Sequence, residues 1–100
     1  NFFKRYLKIE KPRRDFLEKE NLLEIYMKNR FNGYFKGWTL YHLKLVSDED
    51  IIQSIKYVVD IFNIYRDVYL GDDEIINLFI KMCDEGKYKK SILFLREKMH

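Results

Sequence analysis

The 100-residue sequence predicts an all-α fold, a short α-solenoid of antiparallel helical hairpins. Apolar residues recur at three- and four-residue spacing nearly throughout, the period of helices with one buried face. One proline and four glycines leave few places for the chain to break. The stretch 48–66 is apolar on much of its circumference, so it needs cover on two sides, as in a layered stack. Strands are disfavoured because the β-branched residues of Ile51–Tyr57 and Tyr57–Ile64 do not alternate with polar ones.

Residues 1–14 read as a basic N-terminal arm or short helix, Phe2–Ile9, ended by Pro12. Residues 15–100 read as a helical-repeat domain of about three hairpins, the last spanning 72–99. Its first helix, near 14–31, places Phe16, Leu23, Tyr26, Met27 and Phe31 on one side, with Asp15, Glu18 and Glu20 in the first turns. Asn32-Gly33 is the expected stop. A second helix, 36–46, carries Trp38, Tyr41, Leu43, Leu45 and Val46. Ser47 is the expected N-cap of the apolar helix 48–66, with Glu49 and Asp50 in its first turn. Gly71 and Asp72 separate this unit from the next. Helix 73–84 should then bury Ile75, Leu78, Phe79 and Met82. After a tight turn at Glu85-Gly86, helix 87–99 should bury Tyr88, Ile92, Leu95 and Met99.

Composition bounds the chemistry. No window reaches the roughly 18 to 20 apolar residues that span a membrane, so no membrane insertion is expected. Cys83 is the single cysteine, which excludes an internal disulfide and a cysteine-based zinc site, and His42 and His100 are the two histidines. The absence of alanine and the abundance of Ile, Lys, Asn, Phe and Tyr read as an AT-rich coding sequence, not as a functional signal. The chain begins at Asn1, so an upstream segment is expected, with room for a removed targeting peptide.

Charge is unevenly spread. Both ends are basic around an acidic middle, with a net +3. Lys4, Arg5, Lys8, Lys11, Arg13 and Arg14 crowd the first 14 residues; Lys87, Lys89, Lys90 and Lys98 lie on or beside the last helix. They read as solvated helix faces or as RNA-phosphate contacts, and they are the best functional candidates in the sequence.

The other candidates read as structural. Cys83 has no glycine elbow and no Asn or Asp partner at a recognisable spacing, so it is expected to pack. Asp48-Glu49-Asp50 and Asp72-Asp73-Glu74 each open a helix and read as helix-start carboxylates, not metal ligands. Trp38, with Tyr34 and Phe35, could stack on bases, but aromatics at a helix start in a solenoid usually join the core. His42 is expected to be structural. No catalytic residue, metal, cofactor or small-molecule substrate is assigned, and no enzyme is expected.

Leu43 and Val46 precede Phe79 and Met82 by 36 residues, a spacing close to the period of tetratricopeptide and pentatricopeptide (PPR) solenoids. Asp73–Lys98 resembles a PPR repeat. Its first helix carries Leu78-Phe79, Cys83 stands three residues before the turn at Gly86, and Tyr88, the small residue Ser91, Ile92 and Leu95 follow. Trp38-Thr39, Asn77-Leu78 and Tyr88-Lys89 extend the likeness over residues 35–99, to the PPR-type family of the mitochondrial ribosome's small subunit. Sequence-reading PPR proteins place polar side chains near the start of each first helix, where this chain has Ile75-Ile76.

The resemblance implies a structural component of the mitochondrial ribosome small subunit in the mitochondrial matrix. Its partners would be ribosomal proteins and rRNA, the latter bound without sequence specificity. The alternatives are a tetratricopeptide-like protein–protein adaptor, with a cytoplasmic location, and a PPR-type RNA-binding factor of organelle RNA metabolism.

Overall fold

A computed structural model describes residues 1–99, and all regular structure among them is helical. Helix α1 is Phe2–Lys19 and α2 is Leu23–Asn29. A third helix runs without interruption through α3 (Phe31–Tyr34), a π-helical stretch Phe35–Leu40 and α4 (Tyr41–Lys44). Helix α5 is Ile51–Asn63, followed by a 3-10 turn at Arg66–Val68, then α6 (Glu74–Asp84) and α7 (Tyr88–Lys98). His100 lies outside the described residues.

Helix α5 is the centre of the molecule. Ile51, Ile55, Val58, Ile61 and Phe62 are buried on it, while Ile52 and Val59 are half-buried on a second face. Its neighbours are α1, α4, α6 and α7, so the two-sided burial expected of this segment is present. It is shorter than expected. Ser47–Asp50 forms a turn, closed by the Asp50 amide on the Ser47 carbonyl at 3.1 Å, and Ser47 does not cap the helix. Asp50 occupies the N-cap position without a side-chain cap bond.

The break expected at Pro12 does not occur: α1 continues through it as one helix of 18 residues. Proline removes the N–H that the Lys8 carbonyl would accept from, and it normally kinks or ends a helix. Here anchors on both sides of Pro12 hold α1 along α5. The Asn1 side-chain amide donates to Ser54 Oγ at 3.2 Å, and the Tyr65 hydroxyl donates to Glu10 at 3.1 Å. Beyond the proline, Arg14 grips Asp67 with both terminal nitrogens and also donates to the Ile64 carbonyl. The order of these contacts shows that α1 and α5 run in the same direction. The first 14 residues are therefore part of a packed helix, with Phe3, Tyr6, Glu10 and Leu17 turned inward.

The stop expected at Asn32-Gly33 lies instead at Asn21. Asn21 takes a left-handed backbone (φ 57°), which asparagine tolerates better than most side chains. The Leu22 amide donates to the Leu17 carbonyl at 2.8 Å and the Asn21 amide to Glu18 at 3.1 Å, closing a Schellman turn. Gly86 (φ 74°) ends α6 by the same pair of bonds, Lys87 to Met82 at 2.8 Å and itself to Cys83 at 3.0 Å. This second turn was legible in the sequence and folds α7 back on α6.

At the start of α6, Asp73 caps the Ile76 amide at 3.0 Å and pairs with Lys36 at 2.6 Å, so the carboxylate role expected there holds. The buried face differs from the expected one. Ile76, Phe79, Ile80 and Cys83 are inside, Ile75 and Met82 are half-buried, and Leu78 is 37% exposed. Seven of the nine positions from 75 to 83 are apolar or cysteine, so periodicity alone cannot select the inner four. In α7, Ser91, Ile92 and Leu95 are buried, and Tyr88 and Met99 are half-buried.

Arg14→Ala should lower stability by about 1 to 2 kcal/mol, since it strips a hydrogen bond from the Ile64 carbonyl at the end of α5. The thermal midpoint should fall by roughly 4 to 16 °C in calorimetry. Arg14 also holds the Asp67 carboxyl below its ordinary range. A depressed carboxyl contributes stability above its unfolded pKa and loses it as pH falls through the folded one. The difference between the parent and Asp67→Asn should thus be constant at neutral pH, begin to shrink near about pH 4 and vanish only below the lowered folded pKa in acid titrations.

Candidate nucleic-acid interface

The amphipathic phase of α1 sorts its cations. Successive residues advance about 100° around a helix, so Lys4, Lys8 and Lys11 share one face, with Arg5 beside them. The buried face is that of Phe3, Tyr6, Glu10 and Leu17. Lys4, Arg5, Lys8 and Lys11 are exposed, and none makes an ion pair within the described residues. Lys11 lines a shallow groove with Asp15 and Asp60, which offsets its charge. The strip that presents unopposed charge is Lys4, Arg5 and Lys8.

Arg13 and Arg14 are half-buried, and each is engaged within the fold. Arg13 lies 3.5 Å from Glu10 and 5.0 Å above the Tyr34 ring. Arg14 is committed to Asp67, Glu18 and the Ile64 carbonyl. Both guanidiniums thus have partners inside the protein, unlike the cations of the exposed strip.

On the other basic segment, Lys87 pairs with Glu85 at 3.2 Å. Lys89 lines a groove with Asp48, Ile51, Ile92 and Arg96, while Lys90 and Lys98 are simply exposed. Helix α1 meets α5 along Ser54 and Tyr65, whereas the groove of α7 is floored by Ile51 and Ile52. The two basic segments therefore flank α5 on separate helices.

A group the sequence did not single out is Glu10, 2% exposed in the core. A buried carboxylate is tolerated only when it is hydrogen-bonded and paired. Tyr65 supplies the hydrogen bond and Arg13 the charge. The hydroxyls of Tyr65, Tyr26 and Tyr6 are all pushed up in pKa by burial first; the charge of Glu10 comes next for Tyr65 and Tyr26, and for Tyr6 it follows the neighbouring Tyr34 hydroxyl. Tyr6 lies near Tyr34 and Glu10 without reaching hydrogen-bond geometry, so its hydroxyl is an unpartnered buried group, as is that of Thr39. The signal for Glu10 was its position: it stands seven residues after Phe3 and seven before Leu17, on the apolar stripe that a break at Pro12 had hidden.

Trp38 does not join the core and does not group with Tyr34 and Phe35 as expected. Phe35 is buried and Tyr34 is half-buried beneath Arg13. Trp38 lies instead beside Phe2 and His42, at ring distances of 6.4 and 4.3 Å. Asp48 pairs with Arg96 at 3.5 Å rather than opening a helix. No group of three His, Cys, Asp or Glu side chains among the described residues could hold a metal ion, and no described helix is long and apolar enough to cross a membrane.

Cys83 is buried where α6 meets α7, near Ser91, whose own hydroxyl donates to the Tyr88 carbonyl at 2.6 Å. Both residues pack, as the sequence suggested. Burial pushes the Cys83 thiol up to about 11. At pH 8 only about one molecule in 1,000 would carry a thiolate. Maleimide should therefore leave Cys83 unmodified in the folded protein and label it rapidly in denaturant, as read by mass spectrometry.

No protein-family model, no curated protein and no solved structure matches this chain, so its function is argued from the placement of these side chains.

Proposed function

We propose that this protein is a helical scaffold that contacts RNA phosphates without reading sequence, as a structural component of the mitochondrial ribosome's small subunit. One observation carries the RNA contact. Lys4, Arg5 and Lys8 form an exposed, unpaired cationic strip on a helix whose opposite face is locked into the core. Such a strip supplies electrostatic attraction at little cost in ordering, because the helix that presents it is already rigid.

The ribosomal setting is supported by the sequence resemblance of Asp73–Lys98, which we read as a PPR-like hairpin within a short solenoid. The closed turn at Gly86 and the buried Ser91 between its helices fit that reading. Ile76 is fully buried and Ile75 half-buried, so no polar side chain stands at the base-reading position. That favours a scaffold over a sequence-specific processing factor.

One further feature favours the adaptor as a second reading. A groove floored by Leu23, Met27, Val68 and Leu70 is rimmed by Glu18 and Glu24, which suits an apolar peptide segment carrying lysine or arginine.

Replacing Lys4, Arg5 and Lys8 together by Ala should weaken binding to every RNA tested by a similar factor. It should also lower the salt slope by roughly 0.7 per lost phosphate contact on single strands. Fluorescence anisotropy with labelled RNAs of different sequence checks both. Strong preference for one sequence in the parent would assign the chain to RNA processing. No affinity at low salt would move the weight to the adaptor.

A further inference from the structure

Phe2, Trp38 and Tyr41 are 40%, 40% and 42% exposed, although the chain buries Phe3, Phe31, Phe35, Phe62, Phe79 and Tyr65 almost completely. The three exposed rings form one cluster around His42. The His42 ring lies 4.3 Å from Trp38, 5.6 Å from Phe2 in a stacked arrangement, and 5.5 Å from Tyr41 edge-on. His42 is fixed by its own backbone: Nδ1 stands 2.6 Å from the Trp38 carbonyl, which can only accept, so Nδ1 carries the proton. Lys44 clamps the far side, with its ammonium 4.8 Å above the Tyr41 ring and 2.7 Å from the Met99 carbonyl.

Trp38 lies in the π-helical stretch, a geometry that recurs at functional sites, with Tyr41 and His42 in α4 directly after it and Phe2 on α1. The free cations begin immediately beside the cluster. Arg5 is one turn on from Phe2, with Lys4 and Lys8 next around α1.

We propose that Phe2, Trp38 and Tyr41 are a base-stacking platform, and that the RNA engaged by Lys4, Arg5 and Lys8 is single-stranded. This rests on the phosphate-contact reading above and adds the class of RNA. A ligand covering both surfaces must be flat and aromatic on one side and anionic on the other. Bases in a duplex stack on one another and offer no free ring face, only backbone and groove edges, whereas an unpaired strand presents both base faces and phosphates. Stacking needs no base edge, so the platform accepts any sequence.

Trp38 is the chain's single tryptophan, so its fluorescence reports on this site alone. The parent should lose emission when titrated with a single-stranded RNA of about 10 nucleotides, within the span such sites cover. A duplex of the same composition should leave the emission unchanged. Phe2→Ala and Tyr41→Ala should each weaken single-strand binding by about tenfold. Trp38→Phe should retain most of the affinity, since a ring remains, and Trp38→Leu should lose it; circular dichroism verifies that each variant is folded.

Equal affinity for Trp38→Leu and Trp38→Phe would overturn stacking in favour of plain apolar docking. If labelled RNA binds while Trp38 emission stays constant and the aromatic variants match the parent, the platform is overturned and the phosphate reading stands. A blue shift on phosphatidylserine vesicles, with no response to RNA, would assign the face to lipid and overturn both.

Discussion

Helix α5 carries more apolar surface than any single neighbour can cover, and the arrangement of the other helices follows from that excess. Ile51, Ile55, Val58 and Phe62 demand one set of contacts, Ile52 and Val59 another. Helices α1, α4, α6 and α7 supply them. Burial of this kind is non-directional, so it fixes that α5 is surrounded but not which helix lies where. The directional contacts complete the choice. Asn1, Glu10 and Arg14 are spaced along α1 to meet Ser54, Tyr65 and Asp67 in order, and this sets both the register and the polarity of α1 against α5.

The same division explains what the sequence made legible. The helical class, the doubly buried α5, the Gly86 turn and the packed Cys83 and Ser91 all depend on local pattern or on volume. The features missed are those where tertiary contacts overrode a local signal. Pro12 reads as a terminator, and it would act as one in an isolated peptide. Contacts 50 or more residues away in sequence keep α1 whole around it. Asn32-Gly33 reads as a stop, yet Phe31 and Phe35 on either side are both buried, which draws the chain through it as helix. The inner face of α6 was ambiguous because nearly every residue on it is apolar.

The candidate site shows the same principle applied to charge. The six cations of the first 14 residues look equivalent in sequence. Their fates diverge because α1 is one continuous helix of fixed phase: 13 and 14 fall toward the core, while 4, 5 and 8 fall toward solvent. Had the helix ended at Pro12, Arg13 and Arg14 would have been free. The proline is thus the point on which the composition of the cationic surface turns.

The parallel alignment of α1 with α5 also bears on how the chain assembles. The contacts that hold α1 join residues 50 to 55 positions apart, whereas α6 and α7 close across one short turn. Closing the long loop costs conformational entropy before any burial repays it. During synthesis from the N-terminus, α1 leaves the ribosome long before α5 exists to receive it. Its inward residues Phe3, Tyr6 and Leu17, together with Glu10, which has no Tyr65 to bond, remain in water through that interval. The α6–α7 hairpin has no such wait between its two helices, which close across one short turn.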